Sequence, residues 1–319
     1  MSNSLKKTVL IRDMDAGWYA GQLSKLCPQY TYIPATDSEA ALGHAAKADI
    51  IIGLAPYLDQ NLITAASRLE WVQALTAGVD NLLAMPALRA DVTLSNCNGF
   101  HGPQMSELAF LMMLSLNRDA PRMQRNQAEK RWERWPQRLL FNKTVNIVGV
   151  GAIAEGLAKR CKAFDMTVIG VSDGRATAPN FDKMVKRGAL LSAAAECDFL
   201  IALTPYDAKT HHIIDAKIFE AMPAHSYLVN LSRGGCVDET ALLGALKNGD
   251  IAGAGLDVFA KEPLPENDPL WAAPNILITP HIGGMADIYK QQALPLVARN
   301  LNAFAAGGPS ALSGLVKRN

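Results

Sequence analysis

Three ionisable residues in the second half of the chain each follow an apolar, strand-like run: Arg233 in "YLVNLSRGG", Glu262 in "GAGLDVFAKEPLP" and His281 in "ILITPHIGG". Their side chains suit one kind of chemistry. An arginine can fork onto a carboxylate through two parallel hydrogen bonds and so fix an α-keto acid in one orientation. A histidine, which titrates near neutrality, can give a proton to a carbonyl oxygen as hydride reaches the carbon, and take it back in the reverse direction. A glutamate beside the ring favours the imidazolium and fixes its tautomer. Proton transfer from a positioned group of this kind contributes roughly 100- to 10,000-fold in rate.

Hydride transfer needs a carrier, and the chain contains a loop suited to one. After the apolar run "TVNIVGV" comes "GVGAIAEGLAKR", a G-x-G-x-x-A pattern with Gly149, Gly151 and Ala154. Gly149 permits a tight strand-to-helix turn, and Gly151 lets backbone approach a pyrophosphate. Ala154 lets helix and strand pack closely, while the helix start at Ala152 and Ile153 offers N–H groups to the anion. The next strand ends "VIGVSDGRA", with Ser172 where an acid would bind a ribose 2′-hydroxyl, then Asp173 and Arg175. A short hydroxyl near an arginine suits a 2′-phosphate and favours NADP, provided Asp173 does not point inward. The alternative is that "SDGR" is a polar turn.

These residues need a scaffold, and the apolar pattern supplies one. "TVLIRD" (8–13), "DIIIGL" (49–54), "LEWVQAL" (69–75) and "VTLSNC" (92–97) form one series of strands. "TVNIVGV" (144–150), "MTVIGVS" (166–172), "CDFLIAL" (197–203), "SYLVNLS" (226–232), "IAGAGLDV" (251–258) and "NILITP" (275–280) form a second. Short apolar strands separated by helix-length segments predict parallel sheets covered on both faces, and two series predict two α/β domains. In such sheets ligands bind outside the carboxyl ends of the strands, where Arg233, Glu262 and His281 fall. Asp238 is placed to N-cap the helix after Arg233.

The bulk composition narrows the partners. The 319 residues are 49% hydrophobic and 19% charged with a net charge of +1. That leaves no electrostatic case for nucleic acid or an anionic membrane surface. "LAFLMMLSL" (108–116), the longest apolar run, is about half a membrane span and predicts a buried helix. The N-terminal stretch has no secretory cleavage pattern. Five scattered cysteines, Cys27, Cys97, Cys161, Cys197 and Cys236, form no C-x-x-C pair. They predict small buried residues in a reducing, cytoplasmic compartment and no metal site. Between the two strand series lies the basic segment "NRDAPRMQRNQAEKRWERWPQR", which predicts an interface arm or a solvated helix with buried tryptophans rather than a nucleic-acid patch. His211 and His212 are adjacent and are expected to point apart, on the surface or at a cofactor edge. His44 and His225 carry no companion motif, and His101 follows Gly99 with a possible place at a pocket edge.

Taken together, "VGVGAIAEGLAKR", "LVNLSRGGCVDETAL", "AGLDVFAKEPLP" and "DPLWAAPNILITPHIGG" resemble the NAD(P)-dependent D-isomer-specific 2-hydroxyacid dehydrogenase family, as do "QALTAGVDNL", "NCNGFHGPQMSELAFLMMLSLNRD" and "LLFNKTVNIVG" upstream. The resemblance covers nearly the whole chain in order. It implies that Arg233 binds the substrate carboxylate and polarises its carbonyl, that Glu262 partners the histidine, and that His281 is the acid/base. It further implies backbone N–H groups of Ala77, Gly78 and Val79 on the carboxylate, Thr204 and Pro205 beside the adenosine and ribose, and Asp257 near the nicotinamide. The implied fold is a Rossmann-type cofactor domain, residues 99–286, inserted into a flavodoxin-like substrate domain, residues 1–98 with 287–319. Hinge crossings are implied near Asn96–Gly99 and Gly284–Asp287, with a homodimer formed by the helix from Pro103 to Asn117 and the arm after it. Ala154 in place of the usual third glycine and Ser172 in place of the acid of NAD enzymes depart from the pattern. Small 2-keto acids such as glyoxylate or hydroxypyruvate are the expected substrates, with Leu54–Tyr57, Phe100 and Met285 as candidate selectors. Dinucleotide-sensing co-repressors share the fold, and relatives act on formate, phosphite or phosphoglycerate.

Overall fold

The computed structural model describes residues 6–318. The chain divides into two compact units, Met1–Phe100 with Ala286–Asn319, and His101–Met285. Both are α/β units built on parallel sheets.

In the first unit the strands β1 (Thr8–Arg12), β2 (Thr31–Ala35), β3 (Ile50–Gly53), β4 (Trp71–Ala74) and β5 (Thr93–Ser95) alternate with helices α1 (Ala16–Leu26), α2 (Ser38–His44), α3 (Gln60–Ala65) and α4 (Asp80–Leu83). The sheet order β2-β1-β3-β4-β5 is the flavodoxin-like order. The three central strands, β1, β3 and β4, are near-continuous apolar runs because both their faces are covered. β2 was not anticipated from the sequence. It is a half-exposed edge strand, paired with β1 alone, and Pro34 inside it lacks the N–H that a central strand must donate.

The second unit holds β6 (Thr144–Val148), β7 (Thr167–Val171), β8 (Lys183–Val185), β9 (Phe199–Ala202), β10 (Tyr227–Asn230), β11 (Gly253–Leu256) and β12 (Ile276–Ile278). Its helices are α5 (Gly102–Asn117), α6 (Ala120–Ala128), α7 (Ala152–Ala163), α8 (Leu190–Ala194), α9 (Ala216–Ala221) and α10 (Glu239–Asn248). The order β12-β11-β10-β9-β6-β7-β8 is that of a Rossmann sheet with one further strand. β8, a three-residue edge strand beside β7, also escaped the sequence reading, being too short to show a period. Asp238 caps α10 by accepting from the N–H groups of Thr240 and Ala241. The apolar run at 108–116 lies in α5, with Leu108, Ala109, Phe110, Met112, Met113 and Leu116 buried. No helix among the described residues is long and apolar enough to cross a membrane.

The last helix, α11 (Tyr289–Gly307), returns to the first unit. Ala293, Val297, Leu301 and Phe304 form its buried stripe, and Phe304 stacks on the buried Trp71 at 5.0 Å. A buried polar cluster also pins it: Asn300 donates to Gln73 Oε1 at 2.7 Å, Ser95 donates to the same oxygen, and Trp71 donates to Ser95. Such a cluster specifies register, because displacing the helix would strand buried donors.

The segment after α6 departs from one expectation. Trp132 is 88% exposed rather than buried, with the Arg134 guanidinium carbon 6.0 Å from its ring. Lys130, at φ +54°, ends the helical course, and the chain from there to Leu139 runs without regular structure. Trp135 is half-buried beneath Arg122, whose guanidinium carbon lies 4.2 Å from its ring and which pairs with Glu133.

The five cysteines are buried and unpaired. Burial pushes the thiols of Cys97, Cys161 and Cys197 up to about 12, which leaves them protonated and unreactive at neutral pH.

Candidate active site

The carboxyl edge of the seven-stranded sheet gathers the residues singled out above. At the end of β6, Gly149 has φ +95°, and a Cβ there would lie 2.5 Å from the backbone of Thr204 after β9. Glycine is therefore required twice, by conformation and by the close approach of the two strand ends. Gly151, the N-cap of α7, is different: a Cβ there would meet no protein atom within 4 Å, so the chain's own packing does not demand glycine. What its smallness preserves is access to the first turn of α7, where the N–H groups of Ala152 and Ile153 have no intrahelical acceptor. A bare first turn approached through glycine fits a pyrophosphate. Ala154 is buried against the sheet, so its methyl group is accommodated.

The end of β7 differs from its sequence reading. The Arg175 guanidinium is ion-paired with Glu155 of α7. Asp173 is turned toward the end of β8, where its Oδ1 accepts the backbone N–H of Arg187 at 3.0 Å and its Oδ2 lies 3.7 Å from Arg187 Nε. Lys186 Nζ donates to the carbonyl of Asp173 at 2.9 Å. The unanticipated strand thus brings two cations to this edge, and Asp173 lies against them.

Arg233 follows β10 in a turn organised by Asn230. The buried Asn230 Oδ1 accepts from the backbone N–H and the hydroxyl of Ser232, and its Nδ2 donates to the carbonyl of Arg233 at 3.2 Å. The next residue, Gly234, sits against the turn after β11: an added Cβ would fall 1.8 Å from the Phe259 carbonyl carbon. Gly234 therefore joins the arginine loop to the loop carrying Glu262. Gly234→Ala is expected to destabilise the unit by about 3 kcal/mol, as overpacking against backbone does. It should also lower activity by displacing Arg233. Urea unfolding and initial rates on the variant measure both.

Glu262 meets His281 directly, with Nδ1 2.7 Å from Oε2, while its Oε1 accepts the Phe259 N–H at 2.9 Å. Burial alone would raise the Glu262 carboxyl, but the hydrogen bonds from His281 and Phe259 and the charges of His281 and Arg233 outweigh it and hold the group below the ordinary range. Glu239 fixes the same turn by accepting from Ala260 N–H at 2.7 Å; burial pushes its carboxyl up. Because Glu262 is lowered in the folded state, the unfolded chain binds more protons in the acid range. Its contribution is complete above the unfolded carboxylate value of about 4.3 and fades as pH falls through the lower folded value. Glu262→Gln is expected to flatten that part of the stability profile, read from urea midpoints between about pH 6 and pH 3.

His281 adopts φ +54°, a left-handed conformation that costs a non-glycine residue on the order of 1 kcal/mol and clusters at functional sites. The cost is met by Asp257. This buried carboxylate accepts from Thr279 Oγ1 at 2.6 Å and Ile282 N–H at 2.9 Å through Oδ1, and from Gly283 N–H at 2.9 Å through Oδ2. Asp257 thus holds the His281 loop from both sides, a use the sequence did not suggest.

In the first unit, the loop of Ala77, Gly78 and Val79 precedes α4. Its carbonyls are taken internally, Gly78 by Thr76 Oγ1 at 2.7 Å and Ala77 by Asn96 Nδ2 at 2.6 Å. Among the described residues the three N–H groups meet no acceptor.

A guanidinium and a glutamate–imidazole pair thus lie on neighbouring strand ends of a sheet with Rossmann order, and comparison with known proteins shows the family. Residues 110–283 match the family model described as D-isomer specific 2-hydroxyacid dehydrogenase, NAD binding domain. The chain belongs to this family. It is an NAD(P)-dependent dehydrogenase of 2-hydroxy acids. A glyoxylate reductase of Pyrococcus furiosus is 32% identical over 81% of this chain and 79% of its own. A D-isomer specific 2-hydroxyacid dehydrogenase family protein of Aeromonas salmonicida has a structure that covers 98% of this chain and 100% of its own, at 33% identity and TM-score 0.92. A D-isomer specific 2-hydroxyacid dehydrogenase of Xanthobacter autotrophicus, solved with NADPH and MES, covers 98% of both chains at 26% identity and TM-score 0.82.

In this dehydrogenase several residues around the set were not legible in the sequence. Asn230, Gly234 and Glu239 act on backbone across loops far apart in the chain, and the one local signal was the glycine pair after Arg233. The histidine pair also departs from expectation: the rings of His211 and His212 stack at 3.9 Å instead of pointing apart. They lie in a turn, with His212 at φ +48°, so the alternation of a strand does not apply. His212 donates its N–H to the carbonyl of Gly235, and Tyr206 OH lies 3.1 Å from His211 Nδ1.

Proposed function

We propose that this dehydrogenase reduces a small 2-keto acid, of the size of glyoxylate or hydroxypyruvate, to the D-2-hydroxy acid. The observation that carries this reading is the 2.7 Å contact between His281 Nδ1 and Glu262, beside Arg233. With Nδ1 committed to the carboxylate, Nε2 is the ring atom left to exchange a proton with the substrate oxygen. Arg233 anchors the substrate carboxylate and draws charge from the carbonyl; the amides of Ala77, Gly78 and Val79 are donors of the kind that a carboxylate accepts. When bound, the dinucleotide supplies the hydride. Gly149, Gly151, Ala152 and Ile153 would hold its pyrophosphate, with Thr204 and Pro205 beside the ribose. Asp257 positions His281. The unit of β6–β12 serves as cofactor domain and that of β1–β5 with α11 as substrate domain. A panel of 2-keto acids assayed with both reduced dinucleotides tests the reading. Turnover of short 2-keto acids is expected, whereas dinucleotide binding without any turnover would favour a sensing protein.

NADP is the cofactor we favour, on grounds that differ from Ser172 and Arg175 alone. Ser172 provides the hydroxyl, Lys186 and Arg187 bring positive charge beside it, and Asp173 is held against Arg187. The NADPH bound to the Xanthobacter relative supports the same choice. Arg187→Ala is expected to weaken NADPH binding about 10-fold, the scale of one charge-assisted hydrogen bond, while leaving NADH nearly unchanged. Fluorescence titration of both dinucleotides gives the answer, and equal losses for the two would remove Arg187 from phosphate recognition. We further infer a homodimer formed through α5 and the arm carrying the exposed Trp132, and a cytoplasmic location consistent with five buried, unpaired cysteines.

A further inference from the structure

The amino edge of the same seven-stranded sheet, at the opposite ends of the strands from His281, carries a second cluster of donors. A pocket of about 240 Å³ opens there, lined by Asn117, Arg138, Lys143, Asp198, Phe199, His225 and Tyr227. These residues are the end of α5, the extended segment before β6, and the residues that lead into β6, β9 and β10. Phe199 and Tyr227, paired on adjacent strands, stack at 5.4 Å and supply an aromatic wall.

The charges in this pocket do not cancel. Its one carboxylate, Asp198, is already occupied: Oδ1 accepts from Lys143 Nζ at 2.9 Å and lies 3.1 Å from His225 Nε2, and Oδ2 accepts from Thr144 N–H at 2.8 Å. Arg138 has no carboxylate partner among the described residues; Nη1 donates to Tyr227 OH at 3.1 Å. The decisive feature is Asn117. It is 6% exposed, lines the pocket, and its side-chain nitrogen is buried without a hydrogen-bond partner. An unsatisfied buried donor costs about 1–3 kcal/mol, and buried polar groups almost always have partners.

We propose that this pocket is a binding site for a small oxyanion, a carboxylate or phosphate, separate from the catalytic centre. Arg138 offers a planar fork that suits either group, Asn117 completes the set with a buried N–H, and Lys143 adds a second cation. The aromatic wall accommodates a short apolar tail, and the volume holds an anion of a few heavy atoms. Strands β9 and β10 separate the pocket from Thr204 and Arg233 by four residues each, about 13 Å at the usual strand rise. The site is thus distinct from the one that binds substrate.

The test uses the full-length protein carrying Arg233→Ala, which removes the catalytic anchor, and titrates it by calorimetry with inorganic phosphate and, separately, with glycolate at low ionic strength. One site is expected to persist, and Arg138→Leu or Asn117→Leu added to that background should weaken it at least 10-fold. A stronger response to phosphate identifies a phosphate-bearing ligand, and a stronger response to glycolate a carboxylate. Arg138 ends the arm inferred to meet the partner protomer, so melting temperature and sedimentation are measured on each variant, and unchanged values make any loss readable as binding. Absence of heat with both anions in the Arg233→Ala protein, or binding indifferent to Arg138 and Asn117, would overturn the proposal. Either outcome leaves the reading of His281 and Glu262 untouched, because that reading is judged by turnover.

Discussion

His281→Ala lowers kcat by roughly 100- to 10,000-fold with the dissociation constant of the dinucleotide nearly unchanged: this is the expected result of removing the acid/base group alone. The expectation follows from where the ring sits. Its Nδ1 is bound to Glu262, and its backbone, at φ +54°, is held by Asp257 through Ile282 and Gly283. None of these contacts lies in the glycine loop of β6 and α7, so the dinucleotide loses nothing. Glu262→Gln should produce a smaller loss, because a neutral amide can still orient the ring but no longer stabilises the imidazolium. Steady-state rates together with a fluorescence titration of the reduced dinucleotide distinguish the outcomes. Turnover retained in the alanine variant would refute the assignment of His281.

The second large effect belongs to Arg233. Removing one member of a desolvated, hydrogen-bonded charge pair costs about 2–5 kcal/mol, so Arg233→Ala should reduce kcat/KM by roughly 30- to 5,000-fold. Part of the loss should appear in kcat, since polarisation of the carbonyl grows as charge develops on oxygen. Arg233→Lys should rescue little. An ammonium keeps the charge but lacks the fork that meets both carboxylate oxygens. A kcat/KM for the lysine variant equal to that of the parent would show that Arg233 contributes charge alone. The turn that carries it is built by Asn230 and Gly234, so substitutions at those two positions should reproduce part of the Arg233 defect without altering any group that touches substrate.

Both effects depend on groups far apart in the chain, which bears on how much of the molecule could be read before folding. The α/β class, two parallel sheets and ten of the twelve strands were legible, because strands buried on both faces must be continuous apolar runs. The two that were missed, β2 and β8, are edge strands. An edge strand is half-covered and need not be apolar throughout, and Pro34 in β2 is tolerated only there. The three ionisable residues were legible for a similar reason, since each ends an apolar run and the carboxyl ends of parallel strands share one edge.

Residue types and order along the chain determined the fold class, the dinucleotide loop and the pairing of an imidazole with a carboxylate near a guanidinium. Tertiary structure alone decided what surrounds them. Asp257 is turned to hold the His281 loop, Arg175 to meet Glu155, Asp173 to meet Arg187 across an unanticipated strand, and Gly234 to lie against Phe259. The physical reason is range. Hydrophobic periodicity and turn chemistry act between near neighbours in sequence, whereas a hydrogen bond or a steric contact between loops exists only after the sheet has set their distance.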